Sequence, residues 1–305
     1  MTDTVIKATG LSKNYGKFQA LKSLDLEVGL GRIVGVIGSN GAGKTTLLNA
    51  VLGLSSYEGD LRVLGKNPSK ERDALMQDVC FISDVATLPK WMKVHEVLDY
   101  VEAIHPKYNR QKSMDFLSRT SVPLNKKIRT LSKGMIVQLH LAIVMAIDAK
   151  LLVLDEPTLG LDIIFRKQFY QSLLEEYFDE DRTIIITTHQ VEEIEHILSD
   201  VIFIKDGGIV LEAEMEALGN AFCEVMVTSG KEEQAYALNP LQTGSSFGKT
   251  TCVYRDVARE KLTEIGDVRG LGLADIFVAT MTDGHATAGI SENHNKNNNN
   301  TGAGQ

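Results

Sequence analysis

The sequence predicts an α/β fold built on a parallel sheet with helices on both faces, and three observations carry that prediction. Uninterrupted apolar runs, among them Val79-Cys80-Phe81-Ile82, Leu151-Leu152-Val153-Leu154 and Thr183-Ile184-Ile185-Ile186-Thr187-Thr188, read as strands buried on both faces. Stretches with apolar residues at helical spacing separate them. A glycine-rich loop joins one such strand, Gly31-Arg32-Ile33-Val34-Gly35-Val36-Ile37, to a helix beginning Thr46-Leu47-Leu48. Strands that alternate with helices pair in parallel, because each crossover needs the helix to bring the chain back.

In chain order, Val5-Ile6-Lys7-Ala8 and the alternating Ala20 to Val28 read as strands solvated on one face, with Lys13 to Lys17 as a turn between them. After the loop helix come a strand at Asp60 to Gly65, a helical stretch over residues 71–78, and the strand at Val79. From about Leu88 to Ile147 the character is helical. Val94, Val97, Leu98, Val101 and Ile104 share one face, as do Ile136, Leu139 and Ile143. Strand 151–154, a helix near 163–178, strand 183–188 and a glycine-turn hairpin over 201–211 complete the large domain. Beyond about Asn220 the strands at Cys223 to Thr228 and Thr250 to Tyr254, with helices at 231–238 and 271–281, predict a small α/β unit. Residues 285–305, with an Asn run at Asn297 to Asn300, read as a disordered tail, and His285 and His294 in it as solvated.

Composition sets bounds on function. The formal net charge of −8 argues against a nucleic-acid partner. Cys80, Cys223 and Cys252 are odd in number and unpaired in spacing, so they read as small buried residues of a reducing compartment. No apolar run approaches the ~18–20 residues that span a bilayer, and the N-terminus does not read as a signal peptide. The chain is expected to be cytosolic and to serve a membrane only through a partner.

Two constellations carry chemistry. Gly38-Ser39-Asn40-Gly41-Ala42-Gly43-Lys44-Thr45, followed by Thr46, fits G-x-x-x-x-G-K-[ST] between a strand and a helix. Backbone N–H groups and the positive end of a helix dipole converge there on one point, which suits a phosphate. Lys44 can reach the β- and γ-phosphates of a nucleoside triphosphate, and the Thr45 hydroxyl can ligate Mg²⁺. The strand 151–154 then ends in Asp155-Glu156-Pro157, two acids at the strand end where α/β sheets bind ligands. Asp155 suits Mg²⁺ and Glu156 suits a general base for an attacking water.

Together these motifs resemble the ATP-binding subunit of an ATP-binding cassette (ABC) transporter, over about residues 4–212. The resemblance implies a P-loop NTPase cassette: a parallel-sheet core, an antiparallel β subdomain, a helical subdomain inserted at about 88–147, and here a small C-terminal α/β unit. The implied boundaries are 1–219, 220–284 and a tail at 285–305. It makes ATP and Mg²⁺ the ligands. Leu131-Ser132-Lys133-Gly134-Met135 stands where the family carries its L-S-G-G-Q signature. Gly160-Leu161-Asp162 resembles the D-loop, His189 the switch histidine at the γ-phosphate, and Tyr15 the aromatic that stacks on adenine.

The chain departs from the family pattern twice. Lys133 and Met135 replace Gly and Gln of the signature, while Ser132 and Gly134 keep the hydroxyl and the Cβ-free N–H that a γ-phosphate uses. This variant also occurs in exporter-like branches with separate membrane subunits. No Gln follows the strand 79–82, and Asp84 is the expected substitute as a metal ligand. By resemblance two cassettes, here expected to be two copies of one chain, pair head to tail. Each ATP then lies between one subunit's loop and the other's Ser132 and Gly134, and region 88–147 docks an integral membrane subunit at the inner face of the membrane. A GTPase is disfavoured because Asn125-Lys126-Lys127-Ile128 lacks the Asp of N-K-x-D. The remaining alternative is a non-transport ABC ATPase acting on a protein or nucleic-acid complex.

Overall fold

The computed structural model describes residues 4–82, 88–159, 163–246 and 248–282. The chain divides into two compact units between Leu218 and Gly219.

In the first unit, β1 (Thr4–Tyr15) and β2 (Phe18–Gly29) form a long hairpin that leads into β3 (Ile33–Ile37) and, past the glycine loop, α1 (Lys44–Val51). Then come β4 (Glu58–Val63), the single turn α2 (Arg72–Leu75) and β5 (Val79–Ile82). Three helices follow, α3 (Val94–Ile104), α4 (Arg110–Ser118) and α5 (Lys133–Met145). The chain returns to the sheet with β6 (Leu151–Asp155), α6 (Ile163–Ser172), β7 (Thr183–Thr188), α7 (Val191–Ile194), β8 (Asp200–Lys205) and β9 (Gly208–Glu214). Past α8 (Met215–Ala221) the second unit holds β10 (Phe222–Val227), α9 (Glu232–Ala237), β11 (Gln242–Ser246), β12 (Lys249–Arg255), α10 (Arg259–Ile265), β13 (Gly266–Gly270) and α11 (Leu273–Met281).

The central sheet has the order β5-β6-β7-β3-β8-β9. Its first five strands are parallel, and only the edge strand β9 runs antiparallel, to β8. β3, β6 and β7 are buried at every position, which is why their sequences carry no polar alternation. A second, antiparallel sheet, β2-β1-β4, alternates buried and exposed residues instead. Leu21, Leu24, Leu26 and Val28 of its inner face join Leu47, Leu48, Val51 and the sheet residues Val34, Val36, Leu151 and Val153 in one core. Each such side chain contributes ~1.5–3 kcal/mol by leaving water.

In the second unit the order β11-β12-β10-β13 is wholly antiparallel. One face, with Val225, Val227, Cys252 and Tyr254, packs on Ala235, Leu262 and Ile265 of α9 and α10. The Tyr254 hydroxyl donates to the Ala235 carbonyl at 2.8 Å, so that buried phenol is satisfied.

Several sequence expectations need correcting. Residues 13–15 belong to β1, and the turn is only Gly16-Lys17, a two-residue hairpin loop with Gly16 at φ +59°. Tyr15 therefore faces Phe18 across the strands. The helix expected over 71–78 is confined to Arg72–Leu75. By Asp78 the backbone has already turned into the sheet, accepting from the N–H groups of Lys150 and Leu151. β11, α10 and β13 had not been expected, since the polar Gln-Thr-Gly-Ser-Ser of β11 lacks any apolar alternation. Cys80 and Cys252 are buried as expected, and burial pushes the Cys80 thiol up to about 12, whereas Cys223 is only half-buried.

Candidate functional site

The glycine loop leaves the C-terminal end of β3 and is braced from below. Ala42 accepts a backbone bond from the Gly207 N–H in the β8–β9 turn (3.0 Å), and Gly207 in turn accepts from the Lys22 N–H of β2 (2.7 Å). Gly43, the residue before α1, has φ +112°, and a Cβ there would meet the Ala20 carbonyl at 2.8 Å. Only glycine fits both demands. No side chain caps α1, and the first N–H to bond along it is that of Leu47, to the Gly43 carbonyl at 2.9 Å. The N–H groups of the first turn therefore have no helical acceptor behind them, which is the arrangement an anion uses.

Lys44 is 7 % exposed, and its ammonium donates to the carbonyls of Gly38 (2.6 Å) and Ser39 (3.3 Å). Burial pulls its pKa down, and the carboxylates of Glu156 and Asp155 partly restore it. Those two acids come from the end of β6. Asp155 accepts from the Thr45 hydroxyl at Oδ2 (3.0 Å) and from the Thr187 hydroxyl at Oδ1 (2.5 Å). Glu156 turns out of the sheet with φ +50°, held by its N–H to the carbonyl (3.1 Å) and hydroxyl (3.2 Å) of Thr187 on β7. His189, just past β7, meets Glu156 Oε2 through Nδ1 at 2.8 Å.

These groups line one cavity of about 610 Å³, with Tyr15, Phe18, Ala20, Ser39 to Thr46, Asp155, Glu156, Leu159 and His189 around it. Its size suits a nucleotide-sized ligand. Tyr15 is half exposed at one side, with the Lys13 ammonium 5.0 Å from its ring centre. Gly38 belongs to the same loop, and its carbonyl is the Lys44 acceptor. Thr45 and Asp155 present adjacent hard oxygens, the donor chemistry that Mg²⁺ prefers, so the residues present fit that ion.

Ser132 and Gly134 are not among the residues lining this cavity. Ser132 is the exposed N-cap of α5, its hydroxyl accepting from the Met135 N–H at 3.2 Å. Gly134 is buried, and a Cβ there would meet the Phe165 ring of α6 at 3.1 Å. Asp84 and Asp162 lie outside the described residues. Sequence reasoning missed Thr187, Phe18, Ala20 and Leu159. The first had a signal, because a threonine in an otherwise apolar buried strand must find a hydrogen-bond partner.

The ABC transporter family model matches residues 21–159. The chain is 31% identical to the daunorubicin resistance ATP-binding protein DrrA3 of Streptomyces coeruleorubidus, covering 79% of each chain. It is 28% identical to the uncharacterized ABC transporter ATP-binding protein YdbJ of Bacillus subtilis over 92% of each, a match that extends into the second unit. Among solved structures it resembles the dimeric ATP-binding cassette MJ0796 bound to ADP and Pi. The TM-score is 0.59 at 21% identity, with 69% of this chain and 98% of that one covered.

Proposed function

The chain belongs to the ABC transporter family and is an ATP-binding subunit of such a transporter; we propose that it hydrolyses ATP as half of a head-to-tail dimer that drives export through a separate membrane subunit. The observation that carries this reading is the 2.8 Å contact between Glu156 and His189 in the cavity that also holds Lys44.

In this reading the loop N–H groups and Lys44 bind the β- and γ-phosphates, and Tyr15 stacks on the base. Glu156 takes the proton of the attacking water, and His189 orients Glu156 and contacts the γ-phosphate. Thr45 and Asp155 would hold Mg²⁺, whose chemistry is to neutralise charge on the phosphate oxygens. Asp84 would add a ligand from its loop. Thr187 keeps Asp155 aimed, because it occupies Oδ1 and leaves Oδ2 beside Thr45.

Ser132 and Gly134 would act on the partner's nucleotide together with Asp162, so neither copy alone would have a whole site. The cassette MJ0796, whose fold this chain resembles, is dimeric, and that supports the pairing. Export is supported by the Leu131-Ser132-Lys133-Gly134-Met135 variant and by the resistance role in the name of DrrA3. No helix among the described residues is long and apolar enough to cross a membrane; in this reading the membrane path is supplied by another subunit, with this chain peripheral at the inner face.

The test is Glu156→Gln. The amide keeps the shape but cannot take a proton, so turnover should fall ~10²–10⁴-fold. ATP binding should persist, and an ATP-bound dimer should accumulate on gel filtration. Wild-type turnover in the variant, or a monomer at saturating Mg-ATP, refutes the reading. Direction is read by reconstituting the co-purified membrane subunit in inside-out vesicles.

A further inference from the structure

We infer that Arg166 on α6 is a positioning residue that fixes the pose of His189 through Gln190, and so aligns the catalytic pair from behind. The inference rests on the reading above of His189 and Glu156, and adds to it a residue that does not line the cavity.

One Arg166 nitrogen, Nη1, donates to two acceptors at 2.5 Å each: Oε1 of Gln190 and Oε1 of Glu193. Gln190 is the residue directly after His189. Its N–H bonds back to the Thr188 hydroxyl at 3.0 Å, so its backbone and side chain are both held. Glu193 lies in the first turn of α7. The ion pair is mostly out of water, its side chains 20% and 25% exposed. The Glu193 Oε2 atom has no hydrogen-bond partner among the described residues. With one oxygen out of water and unbonded, this partly buried carboxylate depends on the pairing of its other oxygen, which the arginine supplies.

The same helix also grips the other half of the pair. Tyr170, one turn after Arg166, hydrogen-bonds through its hydroxyl to that of Thr158 at 3.1 Å, and both are 2% exposed. Thr158 stands two residues after Glu156 in the turn closed by the Leu159 N–H to the Glu156 carbonyl. One rigid element thus ties down the segment after each catalytic residue. His189 itself is 44% exposed in its side chain, and the 2.8 Å contact to Glu156 is made from an otherwise wet position. Holding such a group to within a fraction of an ångström needs support from the residue beside it.

Arg166→Ala strands the Glu193 carboxylate and will lower stability, so the discriminating variant is Gln190→Ala. It cuts the link to the segment of His189 and leaves the Arg166–Glu193 pair intact. Its melting temperature should stay near that of the wild type, ATP KM within about twofold, and kcat should drop about tenfold, as expected of a small misplacement of a reacting group. Gln190→Glu keeps an oxygen acceptor for Arg166 and should recover most of the loss.

A second readout is independent of turnover. The His189 imidazole signals in ¹H–¹³C spectra of the nucleotide-free protein, assigned with His189→Gln, should move in Gln190→Ala and return towards wild type in Gln190→Glu. If the wild type does not hydrolyse ATP, the functional reading fails, and the imidazole signals alone decide the positioning role. Superimposable signals in wild type and Gln190→Ala overturn it, and so does unchanged kcat in an active enzyme.

Discussion

At the N-terminal ends of the central strands, charged residues face one another; at the C-terminal ends they face a cavity. Asp78, just before β5, accepts from Lys66 (3.1 Å) and Lys107 (2.5 Å). Arg182, before β7, pairs with Asp148, before β6, at 3.0 Å. Arg32, before β3, reaches Asp200 (3.5 Å) and Glu214 (3.0 Å). Every one of these charges has a partner of opposite sign and some contact with water. At the opposite ends Lys44 leans on carbonyls, and Asp155 and Glu156 lean on hydroxyls and an imidazole. The residue types are the same, yet one end has neutralised itself and the other keeps its charge for something that arrives. Ion pairs close the first end, whereas at the second Lys44, Asp155 and Glu156 bond mainly to neutral groups around a cavity, which is what the proposed chemistry needs.

Substitutions at the two ends should therefore move different observables. On the proposed reading Lys44→Ala removes a donor to developing phosphate charge and should cost at least ~10²-fold in ATPase rate. Its melting temperature should hold or rise, because a buried ammonium is lost. A large fall in melting temperature would erase the contrast. Thr187→Val strips the bond to Asp155 and one to the Glu156 N–H without changing shape. About 1–3 kcal/mol of stability should go in a denaturant titration, with roughly a tenfold loss of turnover.

At the other end Asp78→Ala leaves two lysines facing each other and should cost about 1–2 kcal/mol, or a few degrees of melting temperature, while ATPase stays within about twofold. Burial acts to raise the Asp78 pKa, but the hydrogen bonds and charges of Lys107 and Lys66 outweigh it, and the net shift is downward. A depressed carboxyl stabilises the fold fully above its unfolded value of about 3.9 and loses that contribution as the pH falls through the lower folded value. The stability gap between wild type and Asp78→Asn should accordingly close below about pH 4 in acid-unfolding curves followed by circular dichroism. Arg32→Ala, at an exposed pair, is the smallest effect, below about 1 kcal/mol and shrinking with salt.

The C-terminal strand ends were legible in the sequence because their chemistry is local. A loop of fixed spacing, two acids after a buried strand and a histidine after another each announce themselves within a few residues. What joins them was not legible, since the bonds from Thr187 to Asp155 and from Arg166 to Gln190 span 32 and 24 residues. Gly134 makes the same point from the other side. Its sequence position suggests a bare N–H for phosphate, while its own surroundings supply a second reason for glycine, the Phe165 ring packed where a Cβ would stand. The fold of the first unit followed from its apolar strands. The second unit was half visible, because β11 and β13 are short, polar and half-exposed.

Glu156 sits at φ +50°, a conformation that Gly adopts freely and that a residue with a Cβ pays about 1 kcal/mol to hold. The residue proposed as the general base is thus also one the backbone would rather not have. A laboratory selection on thermal stability alone should drift towards Gly or Asn at this position and produce a hardier protein that has stopped turning over. Retention of glutamate in stabilised variants would mark a population still selected for work, which makes position 156 a record of the pressure the protein has been under.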